Sequence, residues 1–183
     1  MAKQILMGKD ELKRKIKRLA SEIIDDAHGE KNMILIGIRS LGVHIAKEIK
    51  KEIEKETGMD IPLGIMDISL YRDDISRHIT QHNIKETIID FDLTGKHIIL
   101  VDDVIWSGRT VRAALDQIID FGRPDKIRLC VLIDRGGREL PIEPNFTGKK
   151  VKVKKDELIK LKTKKETGKE DVVVIEKKAG RTK

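Results

Sequence analysis

Asp102 and Asp103 stand side by side after the apolar run Ile98-Ile99-Leu100-Val101, and the small-residue turn Ser107-Gly108-Arg109-Thr110 follows a few positions later. Paired carboxylates can hold neighbouring hydroxyls or a divalent cation. A turn that opens a helix offers unpaired backbone amides and the positive end of the helix dipole, which together attract phosphate. Ser107 and Thr110 add hydroxyl donors, and Gly108 lets the backbone approach an anion with no Cβ in the way. The combination suits a ligand that carries hydroxyls, a phosphate and a divalent cation. A Walker loop is excluded, because no Gly-x-x-x-x-Gly-Lys-Ser/Thr string occurs and Gly95-Lys96 is followed by His97.

These groups need elements to position them. The run Ile98–Val101 predicts a short strand buried on both faces, and Val111–Asp116 has helical spacing. The acidic pair is thereby expected at the carboxyl end of a strand, the edge of an open α/β sheet where ligands bind. The same construction occurs earlier: the apolar run Met33–Ile38 turns through Arg39-Ser40-Leu41-Gly42 into a helical pattern over Val43–Glu56, which predicts a second anion site made of backbone amides. Before it, Asp10–His28 spaces Leu12, Ile16, Leu19, Ile23 and Ile24 as an amphipathic helix that Gly29 ends, with Lys13, Arg14, Lys17 and Arg18 on its outer face. Further strands are expected at Ile65–Leu70 and Lys126–Ile133. Between them Ile75–Glu86 is polar with weak periodicity, as in a mobile lid. Glu157–Leu161 and Asp171–Glu176, joined by a Lys/Gly-rich stretch, predict a terminal β-hairpin. His78 and His82 are spaced i, i+4, but no third ligand at suitable spacing accompanies them, so they are not read as a metal site.

Composition narrows the class. Charged residues make up 38% and aromatics 3% of the 183 residues, so the core must be aliphatic. The single cysteine, Cys130, excludes an intrachain disulfide and lies in an apolar run, which favours a packed core thiol and a reducing, cytoplasmic setting. No stretch approaches the roughly 18 apolar residues of a membrane span. The net charge of +7 is uneven: Lys149–Lys183 holds 14 Lys and Arg against 6 Asp and Glu, and the rest of the chain is close to neutral. With few aromatics to stack on bases, this tail reads first as a solvated surface and second as a nucleic-acid contact. The whole chain, 1–183, is expected to be one domain.

The order of four apolar residues, two acids, a short apolar stretch and Ser/Thr-Gly-Arg-Thr resembles the phosphoribosyl diphosphate (PRPP) motif of the type I phosphoribosyltransferases. More narrowly, Leu70-Tyr71-Arg72-Asp73-Asp74, Gly108-Arg109-Thr110-Val111-Arg112-Ala113 and Arg138-Glu139-Leu140-Pro141-Ile142 are similar to the PyrR family of pyrimidine operon regulators with uracil phosphoribosyltransferase activity. The resemblance implies an α/β fold: a central parallel sheet flanked by helices, with a small hood (134–148), a lid (71–86) and a basic C-terminal hairpin and tail (149–183). It also implies a homodimer or higher homo-oligomer. The activity it implies is transfer of phosphoribose from PRPP to uracil, giving UMP and diphosphate, with UMP-dependent binding to a pyrimidine mRNA leader and transcription attenuation.

Carried over to this sequence, Asp102 and Asp103 would bind the ribose hydroxyls and help place Mg²⁺, which comes mostly with the substrate. Val104, Ile105 and Trp106 lead into Ser107, Gly108, Arg109 and Thr110, the holders of the 5′-phosphate. Arg39 and Ser40, with Tyr71 and Arg72, would attend the diphosphate beneath a lid that keeps water from the activated ribose. Arg72 joins the acidic pair as a catalytic group. Asp134, Arg135 and Arg138 would lie on the uracil side, and Lys17, Arg18, Arg138 and Lys149 on an RNA face. Leu41 stands where Arg is usual and Gly137 where His is usual, which keeps open a nucleotide sensor with weak or lost transferase activity. Asp26 and Glu143 replace cations, which keeps open a phosphoribosyltransferase acting on another nucleobase without an RNA role.

Overall fold

The computed structural model describes residues 4–29, 32–39, 41–69, 71, 86–154, 156–164, 168 and 171–177. Its elements run β1 (Gln4–Met7), α1 (Lys9–Ala27), β2 (Met33–Ile38), α2 (Leu41–Thr57), β3 (Leu63–Met66), β4 (His97–Ile105), α3 (Arg109–Asp120), β5 (Lys126–Asp134), β6 (Phe146–Lys150), β7 (Glu157–Lys162) and β8 (Val172–Lys177). Five strands form a parallel sheet in the order β3-β2-β4-β5-β6, and the other three form an antiparallel sheet in the order β1-β8-β7.

Near-continuous apolar runs are what a parallel sheet covered on both faces requires. All six residues of β2 are buried, as are the first six of β4 and the last six of β5. Two cores result. On one face Leu19, Ile23, Ile45 and Ile49 of α1 and α2 pack with Leu35, Ile99 and Val101, and Ile159, Leu161 and Val173 of the small sheet join them. On the other face Val111, Ala114 and Ile118 of α3 pack with Ile36, Ile98, Leu100 and Val131. The small sheet is thus fixed to the first core by its own apolar residues. Cys130 is fully buried, and burial pushes its thiol far above the ordinary range. Among the described residues no helix is long and apolar enough to cross a membrane.

The strand expected at Ile65–Leu70 lies earlier, at Leu63–Met66, and the structure departs from the sequence expectations in three further places. First, β4 does not stop before the acids. It continues to Ile105, because β5 is long enough to supply ladder partners, with Asp102 opposite Val131 and Ile105 opposite Asp134. The acidic pair therefore lies inside the last part of a strand. Second, the segment 134–148 divides: residues 135–145 cross over the loop after β4, whereas Phe146–Lys150 is β6, the edge strand of the main sheet beside β5. Third, the terminal hairpin forms as expected but gains β1 as a third strand. Four residues with Ile5 left 65% exposed carried too little pattern to announce that strand. Most of the expected lid, with His78 and His82, lies outside the described residues, as do Ser40 and Arg72.

Candidate active site

The turn after β4 is shaped from behind. Gly108 takes φ +93° at the start of α3, and the amide of Arg112 donates to its carbonyl, closing the first helical turn. The Ser107 carbonyl accepts hydrogen bonds from the amides of Glu139 and Leu140, both at 3.0 Å, and the Trp106 carbonyl accepts one from Arg138 Nη1 at 3.0 Å. With these carbonyls held, the first turn of α3 presents amides that have no acceptor within the helix, and that of Arg109 donates to Ser107 Oγ at 3.4 Å. A Cβ on Gly108 would sit 3.4 Å from Leu140 and 3.5 Å from Ile142, so the segment that holds the turn is packed against it.

Arg138 is the centre of that segment. Its guanidinium is mostly buried and donates to the Ile142 carbonyl at 2.8 Å, in addition to the Trp106 carbonyl, and pairs with Asp134 at 2.8 Å and Glu143 at 3.5 Å. Asp134 in turn accepts the Gly136 amide at 2.9 Å. These two sequence-selected residues form an internal strut rather than a contact surface. Glu143, which replaces a cation of the resembling family, is part of the strut.

In front of the turn lies a cavity of about 360 Å³. Asp102, the stretch from Val104 to Val111, Arg135, Glu139, Leu158 and Ile159 line it. Ile105 is buried in the core, so its contribution to the wall is chiefly backbone. Arg109 donates to Glu139 at 2.8 Å. Asp102 accepts the amide of Asp103 at 2.9 Å. Burial pushes the Asp103 carboxyl above the ordinary aspartate range, while hydrogen bonds from Asp102 and from the amides of Val104 and Asp103 pull it back. Glu139, Leu158 and Ile159 were not selected from the sequence. Leu158 and Ile159 are far along the chain and reach the cavity only because the small sheet folds over it, which no local pattern signals.

The first strand–turn–helix unit abuts this site. A Cβ on Gly42 would stand 2.5 Å from the Val101 carbonyl oxygen and 3.0 Å from the Asp102 Cα, so the first turn of α2 rests directly on the backbone of the acidic pair. Arg39 Nε and Nη2 donate to the Glu86 carbonyl at 3.1 and 2.8 Å. Leu41 packs against the core of α1 and α2. Tyr71 does not face this unit. Its hydroxyl donates to Asp120, at the end of α3 opposite the turn, and that bond raises its pKa.

The residues selected for an RNA face do not form one free patch. Arg18 is bonded to Glu22 and to the carbonyls of Thr147 and Gly148, and Lys149 to Glu11 at 2.9 Å and the Leu6 carbonyl at 3.3 Å. Lys17 lies by a shallow depression that Glu52, Lys55 and Glu56 also line. Asp26 takes Arg128 at 3.3 Å, with Lys126 at 3.9 Å and buried His97 at 3.5 Å.

Two acids in the last part of β4, an amide-rich turn beneath an antiparallel roof and a parallel sheet define the phosphoribosyltransferase class. The phosphoribosyl transferase domain model matches residues 4–174, and the chain belongs to that family. The hypoxanthine phosphoribosyltransferase of Trypanosoma cruzi shares the fold, with a TM-score of 0.71 at 16% identity over 96% of this chain and 97% of that one. Within the class the chain belongs to the PyrR family. It is 49% identical over 170 residues to the bifunctional protein PyrR of Microcystis aeruginosa, covering 93% of this chain and 96% of that protein. To the PyrR of Thermus aquaticus it is 45% identical over 172 residues, covering 94% and 95%.

Proposed function

We propose that the protein is a bifunctional PyrR that transfers phosphoribose from PRPP to uracil, giving UMP and diphosphate, and binds a pyrimidine mRNA leader under control of UMP. The observation that carries the reading is the single cavity in which Asp102 meets the amide turn Ser107–Thr110. In that cavity the 5′-phosphate would accept from the turn, and Asp102 and Asp103 would hold the ribose hydroxyls. The ring carbon C1 loses its bond to diphosphate oxygen and gains one to uracil N1, whose proton leaves. Positive charge grows on the ribose as the bond breaks, so an adjacent carboxylate stabilises the transition state more than the ground state. Two neighbouring carboxylates fit Mg²⁺, which keeps several waters and needs few protein ligands. Bound there with the substrate, the ion would neutralise charge on the departing diphosphate.

Arg39, with Ser40, Arg72 and Tyr71, is assigned to the diphosphate. Arg39 would exchange the Glu86 carbonyl for the substrate, and Tyr71 would leave Asp120. Leu158 and Ile159 offer an apolar cover for uracil, with backbone groups of Val131–Arg135 along its edge. The assembly is assigned as a homodimer or higher homo-oligomer.

A turnover assay with PRPP, Mg²⁺ and each free nucleobase tests the transferase. UMP formed from uracil alone is expected, whereas turnover with a purine only would overturn the assignment. The sensor reading is favoured by Leu41 packed against the core and Arg39 already engaged. PRPP binding without turnover on any base would select it. For the RNA function, leader affinity measured across salt with and without UMP should rise with UMP. Equal affinity for unrelated RNA would reject that half.

A further inference from the structure

Arg39 is held by a backbone atom of a short segment that supplies no other group to the site. It donates to the Glu86 carbonyl, and that carbonyl shares one planar peptide unit with the Thr87 amide, so whatever fixes Thr87 aims the partner of Arg39. Residues 86–88 lie along β3, the edge strand of the main sheet. Ile88 and Ile65 exchange both backbone hydrogen bonds, at 2.7 and 2.8 Å, and the Met66 carbonyl accepts the Arg39 amide at 2.8 Å. The end of β3 is thus the frame that both Arg39 and its partner segment are built on.

Thr87 adds a tie that clipping an edge strand does not require. Its hydroxyl accepts the Asp67 amide at 3.0 Å and Gln117 Nε2 at 3.3 Å, and donates to the Asp67 carbonyl at 3.4 Å, which is the full hydrogen-bonding capacity of a hydroxyl. Gln117 comes from α3, the helix that opens at the amide turn. It is 8% exposed, and the other buried residues of that helix, Val111, Ala113, Ala114 and Ile118, are apolar. A leucine would pack at this position with no polar atom to satisfy. Gln117 instead leaves Oε1 buried without a hydrogen-bond partner, a cost that the fold carries together with the bond Nε2 makes to Thr87.

We propose that Thr87, with Gln117 behind it, is a positioning residue for the diphosphate end of PRPP: its hydroxyl fixes the Glu86 carbonyl and so sets the place from which Arg39 reaches the substrate. The inference rests on the reading of Arg39 as a diphosphate ligand and adds the residues that aim it. It also gives α3 two tasks. Its first turn receives the 5′-phosphate, and about two turns further on Gln117 fixes the diphosphate side, so both ends of the substrate are referred to one helix.

Calorimetry on the full chain with Mg²⁺ compares PRPP with ribose 5-phosphate, which keeps the 5′-phosphate and lacks the diphosphate. Thr87→Val preserves the shape and removes the hydroxyl. It should weaken PRPP about tenfold and leave ribose 5-phosphate unchanged, and Gln117→Leu should act in the same direction by about threefold. Thr87→Ser, which retains the hydroxyl, should bind PRPP within about twofold of the parent. In an Arg39→Ala background Thr87→Val should add nothing, because its effect passes through that guanidinium. An equal loss of both ligands, a full further loss in the Arg39→Ala background, or parent-like PRPP affinity in Thr87→Val would overturn the inference. If Thr87→Val does not fold, Gln117→Leu, which removes a buried orphan oxygen, decides by the same comparison. The underlying reading fails in a different pattern: PRPP that does not bind the parent, or binds Arg39→Ala as tightly, removes the diphosphate role of Arg39 and the inference with it, whereas a loss in Arg39→Ala alone strikes only the inference.

Discussion

The two strand–turn–helix units of the central sheet read almost alike in sequence and are held in opposite ways. The turn after β4 is fixed from behind, with its carbonyls occupied by Arg138, Glu139 and Leu140, so its amides are ready for a phosphate. The turn between β2 and α2 leans on the backbone of the acidic pair through Gly42, and its cation Arg39 is spent on the carbonyl of Glu86. One unit is held before any substrate arrives, and on the proposed reading the other would exchange a partner to receive it. The 5′-phosphate end of PRPP would then meet a rigid site and the diphosphate end an adaptable one.

The sharpest way to test where these units meet is the acid between them. Asp103→Asn keeps the shape and removes the charge, and turnover should fall by about 2–4 kcal/mol in transition-state energy, about thirtyfold to a thousandfold. Single-turnover rates near those of the parent would end the role assigned to it. Because burial raises its carboxyl pKa, Asp103 gains its proton at a higher pH than an ordinary aspartate as acid is added. The acid limb of kcat/KM should therefore lie above the ordinary aspartate range, and Asp103→Asn should remove that limb from what activity is left. Next in size is Gly42→Ala. The new methyl would press on the Val101 carbonyl, and separating α2 from β4 should cost about 1–3 kcal/mol of stability. Thermal melting reads the cost. A rise in KM for PRPP larger than the change in kcat would show that the adaptable unit is the one displaced.

The frame of the candidate site was legible because an apolar run, a small-residue turn and a helical spacing follow one another there, and they form β4 and the start of α3. The strands were legible because buried parallel strands are apolar throughout, as in Met33–Ile38. Three things were not legible, each for a tertiary reason. The end of β4 depended on how far β5 could pair with it. The inward turn of Arg138 depended on the Trp106 carbonyl, 32 residues away, so a cation that reads as surface is a strut. The closeness of Gly137 to Trp106 depends on a loop folding back over the turn, and a glycine that reads as a lost side chain is the space an indole needs.

Arg138 permits a direct test of the rigid unit. Arg138→Ala frees the Trp106 and Ile142 carbonyls and leaves buried Asp134 without its cation, a loss of about 1–3 kcal/mol by the usual cost of an unpaired buried group. If the strut sets the turn, KM for PRPP should rise about tenfold, while Arg138→Lys restores charge but not the fork of bonds and recovers only part of it. An unchanged KM together with weaker leader RNA binding would instead return Arg138 to the surface role that its sequence context suggests.

The smallest effect concerns the roof above the rigid unit. Glu176 of β8 lies opposite Leu158 of β7, one of the two apolar residues that cover the cavity. Its carboxylate pairs with Lys162 at 2.7 Å and Lys160 at 3.2 Å, and Lys162 is the main reason that its pKa is lowered to about 2. A depressed carboxyl stabilises the fold above the pKa of the unfolded chain and loses that contribution as pH falls through the folded value. The roof should therefore weaken between the ordinary glutamate range and about pH 2, and not at neutral pH. Glu176→Gln should lower stability slightly at pH 7, an effect that added salt reduces, and should leave no difference from the parent once both are below pH 2. Amide exchange confined to β7 and β8 would assign the effect to the roof. Exchange that instead rises in α2 and β2 would mean that the roof supports the adaptable unit and not the rigid one.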